Sequence, residues 1–431
     1  MSTLGTAIDV TLADRSIGAF YTADDETSLA ACSASAAEPA TAGVRLSAMS
    51  VVRAGAETQG ARRRWRRIAI AVVVVLVVAG VLAAVGAWLA SSLLIDPHHD
   101  LVRDDVTVKA IGPARVTLAR TKASARDGVY GLDWRGGHAI VGDVLARGDG
   151  TVTRALRGAA AGLRPGTKVA IDPDVWNGDP RTALGIPFAP VAVPDPLGAM
   201  PAWHVPGRAQ TWVLFVHGID GSRAGGLRPL ATLHRLGRPT LLISYRNDVG
   251  APPSPDGHIH LGMTEWKDLE AAARWAVAHG AQRLVLYGES MGGAIVTRFM
   301  HESAMARRVV ALVLDAPVLD WRSVIAGQAS RFDLPFMATP VEWTIGQRIH
   351  VDWSALDEIR QAGSFHVPIL LFQGLDDPLV PPVDTRTFAA RVPGNRATFV
   401  GVAGAGHIES WNADPERYSR ALAAFLAPIG R

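Results

Sequence analysis

Residues 68–95 form a run of 28 positions without a single charge, built almost wholly of Val, Ala, Leu, Ile and Gly. A helix needs about 20 such residues to cross the hydrocarbon core of a bilayer, so this run predicts a spanning helix with some tilt. A helix buried in a soluble core would show a polar stripe, and here only Ser91 and Ser92 break the pattern. With 67 residues before it and a length beyond that of a leader's apolar region, the run reads as a span rather than a cleaved signal. It divides the chain into a tail, a span and a large remainder.

Arg62, Arg63, Arg64, Arg66 and Arg67 stand directly before the run, and Asp96, His98, His99 and Asp100 follow it. The positive-inside rule then predicts a cytoplasmic N-terminus and an extracytoplasmic C-terminal bulk. Contact with the apolar run makes topology a better reading of this arginine cluster than nucleic-acid binding. The part beyond the run carries a net charge of only +2, which also argues against a nucleic-acid partner. His98 and His99 lack a third ligand and do not make a metal site.

Residues 1–67 are rich in Ala, Ser, Thr and Gly with few aromatics, and are expected to be disordered. The single cysteine, Cys32, lies there, so the outer part has no disulfide and depends on its core. Residues 96–202 read as β-rich. Strands are expected at 115–119, 128–134, 138–145 and 151–156, separated by Asp-Gly and Gly-Gly turns. Seven prolines from Pro173 to Pro201 then suggest an irregular connection. The first reading is a stalk plus the antiparallel start of the following sheet; the alternative is a small β subdomain shielding the mouth of a site.

Residues 284–293 read L-V-L-Y-G-E-S-M-G-G: an apolar strand runs into Gly288-Glu289-Ser290-Met291-Gly292, and a helical Ala-Ile-Val start follows. A nucleophilic serine must stand clear at the tip of a tight strand-to-helix turn, and the flanking glycines keep Cβ atoms out of it. The helix that follows points its positive end at the place where negative charge develops in acyl transfer. Upstream, the strand 212–216 ends in His217-Gly218-Ile219-Asp220-Gly221. Downstream, the strand 368–372 enters Gly374-Leu375-Asp376-Asp377-Pro378-Leu379-Val380-Pro381, and the strand 397–402 precedes Gly404-Ala405-Gly406-His407.

These residues, in the order Ser, Asp, His, resemble the α/β-hydrolase superfamily from about Trp203 to the C-terminus. The resemblance implies a mostly parallel central sheet with helices on both faces. It also implies Ser290 as nucleophile, His407 as base, and the N–H groups of Ile219 and Met291 as oxyanion hole. The family pattern G-x-x-D-x-x-V-P falls on Gly374, Asp377, Val380 and Pro381, which selects Asp377 as the acid over Asp376. Asp315, ending the strand 309–314, stays open as an alternative. His217 is expected to prop the oxyanion loop rather than to move protons.

The chain is similar to bacterial membrane-anchored hydrolases of the serine aminopeptidase-like branch, and its 39 arginines against 4 lysines suit a GC-rich bacterial genome. Ester hydrolysis is the expected reaction, with no cofactor or metal. Peptide cleavage, acyl transfer to an alcohol, and a catalytically idle binding role are the alternatives. Residues 246–263 are expected to line the site, before a helix from Glu265 to Ala278 capped by Thr264. Residues 321–365 correspond to the lid insertion of this fold. Phe332, Phe336, Met337, Trp343 and Trp353 there hint at a lipid-like acyl substrate.

Overall fold

The computed structural model describes residues 48–99, 105–158 and 161–430, with backbone alone for 48–60. The chain divides into two units, Met1–Val73 and Val74–Arg431. In the first, residues 1–47 lie outside the described part, so the disorder expected of the tail concerns residues without a description there. Residues 48–67, expected to share that disorder, are helical: one helix runs unbroken over Ala48–Ile95. Its residues lack Pro and hold only Gly55, Gly60, Gly80 and Gly86, so nothing in them stops a helix propagating from the apolar run. The helical segment Ala61–Ile95 holds an apolar stretch long enough to cross a membrane.

In the second unit, six strands come first: β1 (Val106–Gly112), β2 (Arg115–Ala119), β3 (Tyr130–Trp134), β4 (Gly137–Gly148), β5 (Thr151–Arg157) and β6 (Lys168–Asp172). They close into an antiparallel barrel in the order β1-β2-β5-β4-β3-β6, with β6 pairing back to β1. The interior is filled by alternate residues such as Val106, Val108, Val116, Leu118, Leu132, Val141 and Val152. This corrects the first sequence reading, because these strands bury their own core and none joins the later sheet.

That sheet starts instead at β7 (Ala189–Asp195) and β8 (Gly198–Val205), inside the proline-marked stretch read as irregular and before the expected boundary at Trp203. The prolines were misleading for a definite reason. β7 is an edge strand, where a missing N–H on the open side costs no ladder bond. The other strands are β9 (Thr211–Val216), β10 (Thr240–Ile243), β11 (Arg283–Glu289), β12 (Val309–Asp315), β13 (Ile369–Gly374) and β14 (Ala397–Val402). The order is β14-β13-β12-β11-β9-β10-β8-β7, parallel from β14 to β10 and antiparallel at β8 and β7.

Strands β9 to β13 are almost continuously buried, because helices cover both faces and two apolar clusters form, one on each side. This is the α/β-hydrolase fold. Between β12 and β13 the insertion carries helices Trp321–Arg331 and Ala338–Ile349. The helix expected from Glu265 runs over Trp266–Ala278, and Thr264 does not cap it. Glu265 turns its carboxylate back onto the preceding loop, accepting from the N–H groups of His260 (2.6 Å) and Gly262 (3.0 Å).

Candidate active site

Ser290 sits between β11 and the helix Met291–Glu302 with φ 51° and ψ −119°, a conformation a non-glycine residue holds only where its surroundings impose it. Crowding imposes it here. A Cβ on Gly288 would lie 2.4 Å from the Gly292 carbonyl oxygen, and one on Gly292 would lie 2.2 Å from that of Val216. Hydrogen bonds hold the turn on both sides: the Ser290 N–H donates to the Asp315 carbonyl, and the Val318 N–H donates to the Ser290 carbonyl, each at 3.0 Å.

His407 follows β14, and its Nε2 lies 2.8 Å from Ser290 Oγ. Its Nδ1 lies 2.8 Å from Asp377 Oδ2. The Asp377 carboxylate is inaccessible to solvent and fully engaged. Its Oδ1 accepts the N–H groups of Leu379 (2.8 Å) and Val380 (3.0 Å), and its Oδ2 accepts Gln373 Nε2 (3.0 Å). Of the other two carboxylates weighed from the sequence, Asp376 is exposed. Asp315 is buried and accepts the Tyr418 hydroxyl at 2.9 Å; burial lifts its carboxyl above the ordinary range.

Gly218 passes close against Ser290, since a Cβ there would stand 2.9 Å from the Ser290 Cβ. Ile219 follows it, and Met291 opens its helix, where the first N–H groups have no intrahelical acceptor. The loop is propped as expected. His217 Nδ1 lies 2.9 Å from the Gly218 carbonyl and Nε2 lies 2.8 Å from Asp248 Oδ2, while the Tyr245 hydroxyl donates to the same carbonyl at 2.7 Å. Burial disfavours a charge on this ring. Both its nitrogens nevertheless face acceptors, and the Asp248 carboxylate raises its pKa above the usual histidine value.

Three features here escaped the sequence reading. Arg228, wholly buried, donates to Glu289 Oε2 (2.8 Å) beside Ser290 and to the Ile408 carbonyl (2.7 Å) beside His407. The barrel also grips the histidine loop. Arg126 pairs with Glu409, Val129 N–H donates to the Asn412 carbonyl (2.9 Å), and Asn412 Nδ2 donates back to the Val129 carbonyl (2.7 Å). Glu409 Oε2 in turn accepts the Gly406 N–H at 2.9 Å. Barrel residues Asp133, His138 and Asp172 line a cavity of about 880 Å³ together with Asp220 and Gly221 of the loop after β9.

The third feature is the end of the long helix. The Ile259 N–H donates to the Ile95 carbonyl (2.7 Å), and the His98 N–H donates to Asp220 Oδ1 (2.8 Å), one residue past Ile219. No sequence signal marks these pairs, because each joins segments more than a hundred positions apart.

Residues 255–429 match the prolyl oligopeptidase family, and residues 107–172, the barrel, match a domain of unknown function (DUF8805). No curated relative matches the chain. Among solved structures it is similar to the esterase Pf2001 of Pyrococcus furiosus, with 20% identity over 60% of this chain and 96% of that one, TM-score 0.49. It is also similar to a thermophilic esterase from Thermogutta terrifontis, with 18% identity over 57% of this chain and 100% of that one, TM-score 0.41. A serine hydrolase homologue from Coxiella burnetii shares 17% identity over 55% of this chain and 97% of that one, TM-score 0.40.

Proposed function

We propose that this α/β-hydrolase is a membrane-anchored serine esterase with Ser290 as nucleophile, His407 as general base and Asp377 as the orienting acid. The observation that carries the reading is the run of two 2.8 Å contacts, Ser290 Oγ to His407 Nε2 and His407 Nδ1 to Asp377 Oδ2, at a strained turn. In the proposed reaction His407 removes the hydroxyl proton as Ser290 Oγ bonds to the ester carbonyl carbon. Asp377 holds the Nδ1–H tautomer and stabilises the imidazolium.

The N–H groups of Ile219 and Met291 receive the oxyanion, each such donor being worth about 3 kcal/mol of barrier. Collapse expels the alcohol, which takes the proton from His407 and leaves an acyl-enzyme. Water, deprotonated by His407, then releases the acid and restores Ser290. An ester is favoured because its alcohol leaves with less help than an amine. The second reading is amide or peptide cleavage by the same groups, and the match of residues 255–429 to the prolyl oligopeptidase family supports it.

The test is covalent labelling followed by substrate comparison. A fluorophosphonate should label the wild type, and Ser290→Ala should abolish labelling in a folded protein. Acyl esters of graded chain length should be turned over faster than peptide amides. Labelling that survives Ser290→Ala removes the nucleophile assignment, and faster amide turnover transfers the reading to a peptidase.

A further inference from the structure

The insertion between β12 and β13 shows solvent a cluster of large apolar side chains. Phe332, Phe336 and Trp343 are 71%, 67% and 66% exposed, and Leu334 lies among them at 45%. Among the described residues of 106–430 these are the exposed Phe and Trp side chains. Leaving such a cluster in water is costly, and contiguous patches of this kind mark surfaces that something covers.

Its neighbour indicates what covers it. Met337, between Phe336 and the helix Ala338–Ile349, packs on the long helix, its Cε 3.3 Å from where a Gly86 Cβ would stand. Arg348, at the other end of that insertion helix, donates to Ser91 Oγ and Ser92 Oγ at 2.8 Å and to Asp96 Oδ1 at 2.9 Å. Its guanidinium also lies over the Trp88 ring, 4.3 Å from the centroid. Just before this contact the long helix is bare, with Val75, Leu76, Leu82 and Val85 each more than half exposed.

Length sets the level of the contact. The uncharged run of 28 residues exceeds the roughly 20 needed to cross hydrocarbon by about eight, or about 12 Å of helix. Those last eight residues, from Trp88 to Ile95, are the ones Arg348 grips, so Gly86 and Met337 fall at the hydrocarbon boundary. Trp88 and Trp343 then stand where indole rings prefer to sit, between headgroups and acyl chains.

On the reading that this helix is a membrane anchor, we infer that Phe332, Leu334, Phe336 and Trp343 form a second membrane contact, immersed in the leaflet from which the anchor emerges. The occupant is lipid, because the same insertion packs on the anchor through Met337, next to Phe336, and through Arg348. The same insertion reaches the candidate active site, since Gln328 Nε2 donates at 2.7 Å to the carbonyl of Pro378, next to Asp377. The contact thus sets the domain with this side of the site against the bilayer.

The test uses the full chain in phosphatidylcholine–phosphatidylglycerol vesicles with Cys32→Ser, which clears the only native thiol. A nitroxide is placed at Phe336→Cys, at Leu82→Cys in the anchor, or at Glu416→Cys, an exposed position on the C-terminal helix. Collision with oxygen, which dissolves in lipid, is compared with collision with a water-soluble nickel chelate. The oxygen-to-nickel ratio at position 336 should be several-fold above that at 416 and close to that at 82. A lipid-like ratio at 82 with a water-like ratio at 336 overturns the inference and leaves the anchor standing. A water-like ratio at 82 removes the anchor itself. Low collision with both agents at 336 means that a protein surface covers the patch, and overturns it as well.

Discussion

Asp315 ends β12 and Asp377 follows the neighbouring parallel strand β13, yet of the two only Asp377 hydrogen-bonds the imidazole of His407. The difference lies in what else each carboxylate meets. Two backbone N–H groups fix one oxygen of Asp377 and leave the other for Nδ1. Asp315 instead serves the Tyr418 hydroxyl in a buried layer beneath the site, where Tyr418 also contacts Tyr287. Asp377→Asn should therefore lower kcat by roughly four orders of magnitude, as a wrong-tautomer lesion does, while Asp315→Asn costs far less. Steady-state kinetics on folded variants decides this, and the reverse ranking moves the acid to Asp315.

At the scale of elements, the loop bearing His407 depends on the barrel as well as on its own strand. Arg154, buried on β5, donates to the carbonyls of Ser124 (3.1 Å), Arg126 (2.6 Å) and Gly128 (2.7 Å), and so shapes the turn that presents Arg126 to Glu409. Close packing at Gly128, where a Cβ would stand 2.2 Å from the Asn412 carbonyl oxygen, leaves that turn no room to shift. Removing Arg126 frees Glu409, a nearly buried carboxylate that steadies Gly406, and displacements of about 1 Å at a catalytic group can cost a hundredfold in rate. We predict that Arg126→Ala lowers kcat tenfold or more with little change in KM, an effect that Arg126→Lys partly restores. A lowered melting temperature with kcat intact would instead mean that the barrel only stabilises.

For the whole molecule the proposed anchor raises the question of which side of a membrane the hydrolase would occupy. Five arginines before the apolar run and acidic residues after it favour a cytoplasmic N-terminus. A protease added to intact cells should then digest the domain from Trp203 onward and spare the chain before Arg62. A reporter active only in the cytoplasm should be silent when fused after Arg431. An active reporter inverts the orientation and turns the site inward. Tethering residues 96–98 to the loops at Asp220 and His258 holds the site beside the anchor whichever way the chain is inserted.

What the sequence determined by itself was whatever depends on neighbours in the chain. The long helix follows from an uninterrupted apolar run, and the parallel strands from short apolar segments. The tight turn at Ser290 follows from glycines two positions either side of it, and the spacing Gly374-x-x-Asp377 singled out the carboxylate that meets His407. Strands β7 and β8 with their prolines, and closure of residues 106–172 into a barrel, were decided elsewhere. Each depended on partners far away in sequence: the open edge excuses the prolines of β7, and β6 pairing back to β1 closes the barrel. The same holds for Arg228, for the Arg126–Glu409 pair and for Arg348 on the long helix. A lone arginine carries no local mark of its partner, since burial and distant contacts, which only the tertiary structure sets, decide which charges must meet.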